Sequence, residues 1–111
     1  MTPRVLSNHP TAFAAAQLAT QNPFPTSLEG YEAQAQAIRV YDSRPRLPEV
    51  TTPTMVLVGA EDVLTPVHQS VEIASLIPNA QLTVLPRGGH AMVIEYLDDT
   101  VRTIRNFLIE E

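Results

Sequence analysis

The sequence predicts an α/β fold in which two helices precede a strand, a helix, a second strand and a last helix, the strands forming a small parallel sheet. Three observations predict it. Thr54-Met55-Val56-Leu57-Val58 is a continuous apolar run rich in β-formers that stops at Gly59, the pattern of a strand covered on both faces. Gln81 to Leu85 is a second short run, closed by Pro86 and the Gly88-Gly89 pair. Between them Val67, Val71, Ala74 and Ile77 recur at spacings of four, three and three, which is helical. Strand, helix, strand is a βαβ unit, and the two strands of such a unit run parallel.

Taken in order, the chain opens with a stretch from Thr11 to Thr20 rich in alanine, the residue of highest helix propensity. Pro23-Phe24-Pro25 ends it, because proline lacks an amide donor and fixes φ. From about Leu28 to Tyr41 the apolar Tyr31, Ala35, Ile38 and Tyr41 fall on one side of a second helix. The chain divides near residues 47–53, giving a helical segment over 1–46 and an α/β segment over 47–111. After the first strand, Thr65-Pro66 reads as a helix N-cap with proline in the first turn. Pro78-Asn79 stops that helix. The last helix, from about Asp98 to Ile109, aligns Val101, Ile104 and Leu108, and Asp98 and Asp99 suit its positive N-terminal end. Parallel strands need cover and leave unpaired edges, so the first strand is expected to meet something beyond this βαβ unit.

Composition narrows the function. At 111 residues, 44% hydrophobic and 17% charged, the chain has the balance of one globular body rather than of a disordered segment. Its net charge is −5 and its seven basic residues, all arginine, form no run, so neither nucleic acid nor an anionic membrane is an expected partner. Without cysteine there is no disulfide framework, thiolate metal site or thiol nucleophile. No apolar stretch approaches the ~20 residues of a membrane span, and the first residues lack a basic start with an apolar run. The expected setting is cytoplasmic.

Ligands of open α/β sheets bind beyond the carboxyl ends of the strands, where two loops stand out. Gly59-Ala60-Glu61-Asp62-Val63-Leu64-Thr65-Pro66 follows the first strand, and Pro86-Arg87-Gly88-Gly89-His90 the second. Parallel neighbours bring both loops to one end of the sheet, where Asp62 and His90 can meet. A carboxylate beside an imidazole selects its tautomer and stabilises the imidazolium, so the pair suits acid–base chemistry. Each residue alone also has a plainer reading, Asp62 as a turn or capping residue and His90 as a loop residue.

The segment from Pro53 to Pro66 resembles the late strand and acid loop of the α/β-hydrolase family, and Ile77-Pro78-Asn79-Ala80-Gln81-Leu82 through Gly88-Gly89-His90 resembles the segment carrying its histidine. The resemblance spans roughly residues 47–108, and residues 11–46 are similar to the more variable cap. It implies the C-terminal part of an α/β-hydrolase, with Asp62 as triad acid, His90 as triad base and no cofactor. Among members, the enol-lactonase and esterase-like ones are most similar. The family's G-x-S-x-G nucleophile elbow occurs nowhere in the sequence, and Ser7, Ser27, Ser43, Ser70 and Ser75 all lack the flanking glycines. The expectation is therefore a chain that supplies acid and histidine, is inactive alone, and takes a small ester or lactone substrate when complete. An aspartate nucleophile, with dehalogenation or epoxide opening, stays open.

Other polar residues carry less. Glu61 neighbours Asp62, but the motif sets the acid at the second position. His68 is expected on the solvent side of its helix and His9 near a helix start. Neither has metal-ligand spacing, so no metal is expected. Gly88-Gly89 precedes no phosphate-cradling helix start. The competing expectation is a non-catalytic module that self-associates, as a homodimer, through its sheet edge.

Overall fold

The computed structural model of the chain describes residues 20–110 together with Ala14, Gln17 and Leu18. The alanine-rich stretch, His9 and Ser7 thus lie almost wholly outside the described residues. Helix α1 spans Leu28–Val40 and begins where the Ser27 hydroxyl accepts the Gly30 N–H at 3.1 Å, satisfying one of the free donors of the first turn. A 3₁₀ turn over Arg44–Glu49 follows, with Pro45 and Pro48 inside it, and straddles the expected boundary at 46/47. Two prolines within six residues remove the donors an α-helix needs, which favours this short tighter form.

Strand β1 is Thr54–Gly59, helix α2 is Val67–Leu76 and strand β2 is Ala80–Leu85. The strands pair in parallel, from Thr54 opposite Ala80 to Gly59 opposite Leu85, and α2 packs on both. The α/β fold and its small parallel sheet are thus as the sequence predicts. Val58, Ile77 and Leu85 form the buried core at the carboxyl end of the sheet and the end of α2. One expectation fails. Thr54 to Leu57 are only half-buried, because among the described residues the sheet has two strands and β1 is paired along one edge.

A four-residue helix α3, Met92–Glu95, and helix α4, Leu97–Ile109, close the chain and pack on one another. Tyr96 separates them with φ −136° and ψ 59°, outside the helical region. Asp98 and Asp99 occupy the first turn of α4, where its dipole favours negative charge. The packed side of α4 is polar at its start. Thr100 is 2% exposed and its hydroxyl donates to the Tyr96 carbonyl at 2.8 Å, whereas Leu108 is 64% exposed and Val101 is also exposed. Among the described residues no helix is long and apolar enough to cross a membrane.

Candidate active site

The site is built where β1 and β2 end. The register sets Gly59 beside Leu85, and beyond this last pair the chains stay in contact: the Ala60 N–H donates to the Leu85 carbonyl at 2.9 Å and the Glu61 N–H to the Gly88 carbonyl at 3.0 Å. Glycine at 59 makes this approach possible, since a Cβ there would lie 2.2 Å from the Gly88 oxygen. Gly88 itself has φ +103°, a conformation L side chains rarely adopt. These two glycines bring the loops together.

Asp62 and His90 meet there, with Asp62 Oδ2 3.1 Å from His90 Nδ1. Asp62 is buried, while the His90 side chain is 53% exposed. The turn reading of the aspartate holds, and the same carboxylate faces the imidazole. Its Oδ1 accepts the Leu64 and Thr65 N–H groups at 3.0 and 2.9 Å, which is an Asx-type turn, and its Oδ2 faces the imidazole. Burial works against the charged carboxylate. The Thr65 N–H, His90, the Thr65 hydroxyl and the Leu64 N–H outweigh it together, holding Asp62 below its ordinary value.

Thr65 completes the arrangement and is absent from the sequence reading in this role. Its hydroxyl lies 3.1 Å from Asp62 Oδ2 and 3.0 Å from His90 Nδ1. An ionised carboxylate can only accept, so the hydroxyl donates to Asp62 and His90 Nδ1 carries a proton shared between Oδ2 and Thr65 Oγ1. The lone pair then resides on Nε2, the nitrogen a general base uses. With Thr65 engaged by Asp62, the expected cap shifts: Pro66 takes the N-cap position of α2, with φ −63° and ψ 162°, and no side chain caps the helix.

Two neighbouring acids hydrogen-bond the loop that carries His90. Glu61 Oε1 accepts the Gly88 N–H at 3.1 Å, and the buried Glu95 Oε2 accepts the Gly89 N–H at 3.1 Å. The contact of Glu61 follows from the parallel pairing of the strands, which the βαβ order predicts; Glu95 arrives on the unforeseen α3. His68 is exposed on α2. Among the described residues, no group of three or more histidine, aspartate and glutamate side chains could hold a metal ion. Ser27 and Ser75 have local partners, capping α1 and donating to the Glu72 carbonyl.

Comparison with known proteins places the chain in a family. The family model for the alpha/beta hydrolase fold matches residues 9–96. The RutD protein of Serratia proteamaculans (strain 568), named as a carbamate hydrolase, is 36% identical over 69 residues, covering 62% of this chain and 26% of its own length. Among solved structures, the enol-lactonase of Burkholderia xenovorans LB400 superposes with a TM-score of 0.82 at 28% identity, over 97% of this chain and 40% of that one. Est816, described as an N-acyl homoserine lactone degrading enzyme, has a TM-score of 0.78 at 26% identity, over 96% of this chain and 42% of its own. The chain therefore spans about a quarter of the length of the curated relatives it matches and two fifths of these structures.

Proposed function

The chain belongs to the alpha/beta hydrolase fold family, and from that premise we propose that it supplies the acid and base, Asp62 and His90, of a hydrolase acting on a small ester or lactone. The observation that carries the reading is the contact of a buried, hydrogen-bonded Asp62 with His90 Nδ1 at 3.1 Å, which leaves Nε2 available. The names of the enol-lactonase and of the lactone-degrading enzyme support the substrate class.

The chemistry follows from the geometry. His90 Nε2 takes the proton of a nucleophilic hydroxyl or of water as that oxygen attacks the ester carbonyl. Asp62, held below its ordinary value, stays ionised beside the resulting imidazolium and stabilises it. The imidazolium then gives the proton to the departing alcohol oxygen, which restores the neutral ring. No G-x-S-x-G elbow occurs among the 111 residues, and in this reading the attacking group is water or a hydroxyl supplied from outside this sequence. Residues 1–46, with α1, act in this reading as part of a cap, and 47–111 as the C-terminal part of the hydrolase body.

Reconstitution tests the reading. The chain alone is expected to show no His90-dependent hydrolysis of a p-nitrophenyl ester or a lactone, with His68→Ala as control for nonspecific imidazole reactivity. Supplied with the N-terminal portion of the related enol-lactonase, it is expected to hydrolyse the lactone. Ester hydrolysis by the isolated chain that disappears with His90→Ala would place a nucleophile within it and overturn the division of labour.

A further inference from the structure

We propose that Glu61 and Glu95 are positioning residues, which hold the backbone of Gly88 and Gly89 and thereby set the His90 ring against Asp62. The inference rests on the acid and base reading of that pair and adds the groups that make its geometry possible. The His90 ring is half exposed, and among the described residues it is held through Nδ1, by Asp62 and Thr65. A ring so held depends on where its backbone is anchored, and a displacement of about 1 Å in a catalytic group can cost two orders of magnitude in rate.

The anchoring is carried by two carboxylates that accept the successive N–H groups of one dipeptide. Glu61 exchanges two hydrogen bonds with Gly88, its N–H donating to the Gly88 carbonyl at 3.0 Å and its Oε1 accepting the Gly88 N–H at 3.1 Å. Glu95 Oε2 accepts the next N–H, that of Gly89, at 3.1 Å from a buried side chain. Gly88, at φ +103°, needs such restraint, because glycine without it samples many backbone states. Glu61 ties this dipeptide to the loop that carries Asp62, and Glu95 ties it to α3 behind His90. Together they make the separation of Asp62 and His90 a property of the loop backbone rather than of one exposed imidazole contact.

The test reads the tautomer of His90 in the full chain, labelled with ¹⁵N-histidine, by two-bond ¹H–¹⁵N correlation in alkaline buffer where imidazoles are neutral. The wild-type chain is expected to give a single Nδ1–H tautomer for His90. Glu61→Ala and Glu95→Ala are expected to convert it to a mixture, while Glu61→Gln and Glu95→Gln, which keep a carbonyl acceptor, retain the wild-type pattern. Asp62→Asn is the reference, expected to move the proton to Nε2. If it does so while both alanine variants keep the wild-type tautomer, the positioning role is overturned and the Asp62–His90 pair stands. If Asp62→Asn leaves the tautomer unchanged, the pair itself fails and the positioning role fails with it. Should Glu95→Ala not fold, Glu61→Ala decides alone, since Glu61 is exposed.

Discussion

The carboxyl end of the sheet and the flanking helices α1 and α4 are organised on opposite principles. At the sheet end, polar groups 25 to 28 positions apart in the chain are joined directly, Thr65 to His90, Glu61 to Gly88 and Asp62 to His90. No buried side-chain polar atom among the described residues lacks a hydrogen-bond partner. In α1 no residue is buried, and Leu28, Tyr31 and Ile38 are exposed, as are Val101 and Leu108 in α4. The difference teaches that the contact of Asp62 with His90 is fixed by the two loops that end the parallel strands, with a tie from α3, whereas α1 and α4 leave apolar side chains exposed among the described residues.

Substitutions can break or sharpen this contrast. The largest effect on stability is expected at Gly59, where an alanine Cβ would meet backbone rather than a movable side chain. Gly59→Ala should cost about 3 kcal/mol in chemical denaturation, the upper part of the overpacking range. At Gly88 the Cβ would meet Met92 and Tyr96 side chains at 3.0 and 3.1 Å with an unfavourable φ, and Gly88→Ala should cost about 2 kcal/mol. Losses below about 0.5 kcal/mol at both sites would show that the loops are not packed against each other.

A smaller effect separates with pH. Asp62 is lowered in the folded chain from its ordinary 3.8, so its contribution to stability is complete above that value and is lost as the pH falls through the lower folded-state value. Asp62→Asn should remove this part of the acid decline; an unchanged acid limb would mean that the carboxylate is not stabilised by folding. The smallest effects belong to the flanking surface. Arg44 pairs with Asp42 at 2.7 Å and approaches Glu72 at 3.6 Å, but both contacts are exposed and screened by solvent, and Arg44→Ala should leave the denaturation midpoint nearly unchanged. Leu108→Gln should be similarly mild, and a large loss there would show that α4 is already docked.

What was legible in the sequence follows the same line. The strands and α2 are written as uninterrupted or periodic apolar runs between Gly and Pro punctuation, and parallel pairing of the two strands follows from their connection. Asp62 and His90 were readable because topology places the ends of adjacent parallel strands together. Thr65 was misread because a Thr-Pro pair before a helical stripe looks like a cap, and only the structure shows its N–H and hydroxyl turned to Asp62. Glu95 could not be found by period, since α3 is a single turn of four residues, too short to show a helical repeat. Periodicity in α1 and α4 located the apolar stripes, but a stripe does not state whether anything covers it.

The central claim is that His90, oriented by Asp62, is the base of a hydrolytic site. Lactone hydrolysis by the chain reconstituted with the N-terminal portion of the related enol-lactonase, compared for wild type and His90→Ala, tests it most directly. A fall in kcat of about 10⁴-fold or more is predicted, the scale on which triad members matter. Hydrolysis that persists within a few-fold in the His90→Ala chain would contradict the account.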